Sequence, residues 1–129
     1  MAGNASNYLE EAIAKHITRV AAYTMPTALY LGLSPDTYVE DTTLTEFTGG
    51  NYARVNVSSS FSWDAGLGKV KNIQILWPVL TSTLADALSW ILYDQSLNVL
   101  ETGALVDPIA MVAGTTPRVV AGSALFGAS

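Results

Sequence analysis

The chain has no cysteine, which excludes a disulfide framework and any thiolate metal site. Its single histidine, His16, excludes a histidine metal cluster. Charge is scarce as well: Asp, Glu, Lys and Arg make up 13% of the 129 residues, while 50% are hydrophobic. So apolar a composition argues against disorder. It also leaves little polar covering for a monomer, so part of the surface is expected to be buried by partners. The six basic residues are scattered and the net charge is −5. No basic track exists for phosphate neutralisation, and nucleic acid is not an expected partner. No apolar run reaches membrane-spanning length, so no membrane partner is expected either. Residues 1–6 lack the basic and apolar regions of a secretory signal, and the expectation is a chain made and used without secretion.

Patterns that carry catalysis are missing too. There is no phosphate-binding loop, no dinucleotide fingerprint and no nucleophile elbow around Ser58, Ser59 and Ser60. The carboxylate pairs Glu10–Glu11 and Glu40–Asp41 are sequence neighbours, whereas paired catalytic carboxylates must face each other across a substrate. A calcium site in the 36–41 loop would need a ligand spacing that is absent. His16 falls beside the apolar stripe of a helix and reads as a packing residue. Trp63, Trp77, Trp90 and the six tyrosines read as strand-core and interface residues before they read as a carbohydrate platform. The expectation is no enzyme activity, no cofactor and no metal.

What is present is organised around Gly49-Gly50-Asn51-Tyr52-Ala53-Arg54-Val55-Asn56-Val57. The glycine pair supplies a turn with positive φ. A strand follows at period two, with Tyr52, Arg54 and Asn56 on one face and Ala53, Val55 and Val57 on the other. Arg54 has two open readings: a cross-strand ion pair or a stack on Tyr52, and an intersubunit salt bridge. Upstream, Leu9, Ile13, Ile17 and Val20 recur at helical spacing. They predict a helix over about 6–22, capped by Ser6 or Asn7, with Glu10 in capping-box spacing from Asn7 and Pro26 barring continuation. Its single stripe is expected to pack on a sheet or a neighbouring subunit.

Strands are predicted over 28–34, 52–57, 58–64 and 69–77, then 87–94, 99–105, 109–112 and 118–126. Residues 36–48 read as a long acidic surface loop. Residues 87–94 are apolar almost throughout, as in a central strand covered on both faces. The fold class is α+β, an N-terminal helix packed on an antiparallel, jelly-roll-like β-sandwich over about 27–129, with 1–129 as one domain. Tyr52, Arg54, Asn56, Leu9 and Ile13 are the candidate interface residues.

Four segments, taken in order, carry a resemblance. They are Ser6-Asn7-Tyr8-Leu9-Glu10-Glu11-Ala12-Ile13, Leu29-Tyr30-Leu31-Gly32-Leu33-Ser34, Gly49-Gly50-Asn51-Tyr52-Ala53-Arg54-Val55 and the ending Val119 to Leu125. The chain resembles small virion proteins of tailed bacteriophages, often labelled tail fibre proteins, some similar to capsid decoration (cement) proteins. The most specific part is the coupling of Tyr-Leu-Gly-Leu-Ser with Gly-Gly-x-Tyr-Ala-Arg. The resemblance implies a structural role without catalytic residues. The first expectation is a decoration protein on the capsid exterior, made in the host cytoplasm. It would assemble as a homotrimer and bridge major capsid protein subunits against the pressure of packaged DNA. The second is a tail-fibre or host-recognition component. A small hydrolase or sugar-binding module is the reading from another class.

Overall fold

Short apolar runs between turn residues build sheets here, and one amphipathic segment builds a helix. The computed structural model describes residues 3–40, 42–66, 68–120 and 125–126. Asp41, Leu67 and the 121–124 part of the expected last strand lie outside them. In chain order the elements are β1 (Gly3–Ala5), α1 (Asn7–Ile17), β2 (Tyr30–Ser34), β3 (Val55–Asn56), β4 (Phe61–Asp64), β5 (Lys69–Asn72), β6 (Ile75–Leu76), β7 (Ala87–Tyr93), β8 (Val99–Ile109), β9 (Arg118–Val119) and β10 (Leu125–Phe126). A five-stranded sheet runs β1-β8-β7-β2-β3, a three-stranded sheet β10-β5-β4 and a two-stranded ladder β6-β9, every pair antiparallel. The α+β class with sandwich-like antiparallel sheets is as the strand spacing implies.

β7 is the middle strand of the large sheet, and its side chains are buried on both faces. Trp90 and Leu92 join Leu31, Leu33, Trp77 and Met111 in the main core, where Ile75 and Val119 of the small ladder close over them. Large buried side chains of this kind contribute ~3–5 kcal/mol each on the truncation scale. Ile91 and Tyr93 point the other way, into a smaller cluster with Leu44. The cover on that second face is therefore the 36–48 stretch and not the helix. Its described residues have no regular structure, yet Leu44 and Phe47 are buried, on opposite faces of the sheet. It is tied down by Thr45 N to Asp36 Oδ2 (2.8 Å), Phe47 N to the Leu33 carbonyl (3.1 Å) and Ser89 Oγ to the Asp36 carbonyl (2.6 Å).

Several strand boundaries move for local reasons. The expected 69–77 strand breaks after Asn72, which is buried and whose amide donates to the Ile73 carbonyl at 2.7 Å. The break reverses the alternation: Ile75 and Trp77 are buried as expected, but Ile73 is exposed. In the opposite sense, β8 continues past the expected end at 105 to Ile109, while 110–112, the rest of the expected 109–112 strand, are not in a strand. Pro108 is accommodated because pairing jumps from Ser89↔Ala104 to Ala87↔Ile109, so 105–108 bulge out of the ladder. Trp63, expected in phase with the core, is 64% exposed, although Phe61 two residues before it leans on the core.

The helix is shorter than the predicted 6–22. Ser6 caps it, its Oγ accepting from Leu9 N at 3.1 Å, and the predicted Asn7–Glu10 capping box does not form. Its end is set by Arg19 and not by Pro26. Arg19 takes φ 65°. Arg19 N reaches the His16 carbonyl and Val20 N the Lys15 carbonyl, the paired bonds of a Schellman turn. Helical continuation through Val20-Ala21-Ala22 is lost to that turn. Residues 4 and 5, just ahead of the predicted helix, pair with β8 as part of β1.

Candidate functional site

Gly49, Gly50 and Asn51 all have positive φ, at 82°, 60° and 65°. The turn is pinned from outside by Thr81 N on the Gly50 carbonyl (2.9 Å) and Asn51 Nδ2 on the Val79 carbonyl (2.8 Å). It delivers Tyr52 and Arg54 to one point, the carboxylate of Glu46. Tyr52 Oη donates to Glu46 Oε2 at 2.6 Å and accepts from Leu33 N at 2.7 Å. Arg54 Nη2 lies 2.7 Å from Glu46 Oε1. Tyr93 Oη donates to the same oxygen at 3.1 Å, and the Arg54 guanidinium sits over the Tyr93 ring, 4.6 Å from its centroid. The Phe47 and Tyr52 rings are 5.7 Å apart and tilted.

Space for this carboxylate comes from Gly32. A Cβ on Gly32 would stand 2.5 Å from Glu46 Oε2 and 2.8 Å from its Cδ. The two sequence segments whose coupling carries the resemblance thus meet here, one supplying the gap and the other two of the three donors. Sequence reasoning found Tyr52 and Arg54 but missed Glu46, which looked like one more acid in a solvated loop, and Tyr93. Gly32 between two core leucines was the available signal: a missing side chain in a strand marks a close approach.

The chemistry of the cluster is that of a closed network. Burial, then the hydrogen bond to Glu46, drives the Tyr52 phenol far up from its usual range. Burial, then the Glu46 charge, pushes Tyr93 up to about 12. Both phenols stay protonated as donors, and the carboxylate is matched by a cation. A shallow opening of about 430 Å³ borders the network along residues 46–49 and 52–54.

Arg54 forms an ion pair within its own chain, with Glu46, and its stacking partner is Tyr93 and not Tyr52. Asn56 takes no part: its Oδ1 accepts from Ser58 N (2.9 Å) and Ser58 Oγ (2.6 Å). Leu9 and Ile13 are elsewhere, on the helix that follows β1, while Asn56 lies on β3, at the opposite edge of the large sheet. Four strand spacings separate those edges, ~19 Å. The five candidate residues therefore do not form one patch.

His16 is an exposed acceptor for Tyr23 N at 3.0 Å and not a packing residue. Trp77 and Trp90 are buried, which leaves Trp63 as the one tryptophan on the surface. Among the described residues no three His, Asp or Glu side chains come together as metal ligands, and no helix is long and apolar enough to cross a membrane. Glu101, unremarked in the sequence, is 8% exposed, and burial raises its carboxyl to about 7.

No curated protein matches the chain. A family model described as podophage GP4 fiber I protein gp80 matches residues 4–126, nearly the whole chain. That span includes both coupled segments, Glu46 and the helix. The chain therefore belongs to the podophage GP4 fiber I protein gp80 family, a family of bacteriophage virion structural proteins.

Proposed function

We propose that this protein is a structural component of a podophage fibre, without catalytic activity of its own. The match to a fibre family over residues 4–126 carries the reading. A half-buried polar cluster in the fold agrees with it. Glu46, Tyr52, Tyr93 and Arg54 satisfy one another, and the carboxylate is 11% exposed. Such a network fixes the loop 36–48 and the turn 49–51 to the sheet, which suits a part that bears load.

Capsid decoration stood first on sequence resemblance, with the major capsid protein as partner, and the family's description favours the fibre instead. Gold-labelled antibody against the purified chain, applied to intact particles, separates the two. The fibre reading expects gold on the fibres. Gold spread over the head shell would favour decoration and overturn it.

A further inference from the structure

Helix α1 is amphipathic, yet it contains no buried residue. Only Leu9 and Ala12 of the helix are half-covered, and the strand it meets is β8. Ile13 is 40% exposed, Ile17 72%, Val20 just beyond the helix 74%, and Met25 on the returning segment 81%. The helix is rooted at one end only, through β1 on β8 and Ser6 N on the Leu100 carbonyl at 2.8 Å. Residues 13–22 are exposed throughout, so this is an arm. An isolated helix of 11 residues is marginal in water, and it normally borrows stability from a packed apolar face. Here the chain itself supplies almost none.

We infer that the arm is a self-association surface, and that its apolar stripe packs against the same stripe of a second copy of this chain. Charge selects the copy as occupant. Residues 7–26 hold two acids, Glu10 and Glu11, and two bases, Lys15 and Arg19, so the arm is neutral while the whole chain is −5. The arm carries none of that excess charge, so two copies can meet through it without net repulsion. Glu11 and Lys15 pair with each other at 2.6 Å. Glu10 and Arg19 have no ionic partner among the described residues, and they stand at opposite ends of the stripe. A second arm offers each the charge it lacks, and mutual complementarity of this kind is what a symmetric contact between identical chains requires. The four exposed apolar residues offer about 500 Å² per copy, most of the ~800 Å² per partner of a standard interface. Arg19 also keeps a side chain at a φ where glycine would be less strained.

This goes beyond the fibre reading, which says nothing of how copies meet, and it is tested on the purified full chain without particles. Light scattering across a concentration series should give a mass above one chain. Ile17→Glu, a change at an exposed helical position, should weaken the association at least tenfold with thermal unfolding of the sheets unchanged. Arg19→Glu should weaken it as well, and Glu10→Arg with Arg19→Glu should restore it; charges nine residues apart cannot pair within one arm. In this cysteine-free chain Ile13→Cys, near the middle of the span from Glu10 to Arg19, should form disulfide-linked pairs under mild oxidation, and Thr43→Cys should not. A wild type that stays monomeric at high concentration overturns the inference, as does an assembly unaffected by Ile17→Glu. Either failure leaves the fibre location untouched.

Discussion

At Gly32 the missing side chain answers to a carboxylate. Its φ is not among the positive ones, so backbone strain is not the reason. A methyl group there would press on Glu46 Oε2, one oxygen of a carboxylate that three donors hold in place. Moving it would break those bonds, and an alanine should cost ~1–3 kcal/mol, the price of unpaired buried donors. In a Glu46→Ala background the obstruction is gone, and the same Gly32→Ala change should cost under ~0.5 kcal/mol. Urea unfolding of the four variants measures this coupling. Equal costs in both backgrounds would show that Gly32 serves something else.

Glu101 gives a second test at this scale. It sits opposite Ala5 of β1 and Leu92 of β7, and burial raises its carboxyl to about 7 from the usual 4.5. Between those values the folded form keeps a proton that the unfolded chain has released. Raising the pH through that window therefore weakens the fold. The urea midpoint should fall from pH 5 to pH 8 in the wild type, and by clearly less in Glu101→Gln. A parallel fall in both would assign the pH dependence to other groups.

Elements differ in how much of them the sequence discloses. β7 was legible because a run apolar on both faces has few homes other than the middle of a sheet. The helix was legible in its N-terminal half, from Ser6 and the spacing of Leu9 and Ile13. Its end was not, because a Schellman turn on Arg19 carries no glycine to announce it. β8 was hidden by Asp107-Pro108, which reads as punctuation and is in fact a bulge within one strand. Asn72 broke a pattern of good alternation because its amide bonds neighbouring carbonyls and competes with the ladder. The candidate site was half legible. Tyr52 and Arg54 stand out by type and phase, but their partner Glu46 is placed by long-range packing of a loop, for which no local pattern exists.

For the whole molecule, scarce charge and an abundance of apolar residues pointed to buried partner surfaces. Part of that surplus lies on the arm at one sheet edge, where Ile13, Ile17, Val20 and Met25 are exposed, and the rest is spread over other surfaces. A sandwich that holds a half-buried polar network, with an exposed apolar arm at its margin, agrees with the proposed fibre role. Fibres are few on a particle, whereas a shell is covered by decoration in proportion to its subunits. Quantitative mass spectrometry of purified virions, with this chain counted against the major capsid protein, is the most direct measurement. A fibre component should be far scarcer than capsid subunits, in a small fixed number per particle. A count comparable with the capsid subunits would contradict the fibre assignment.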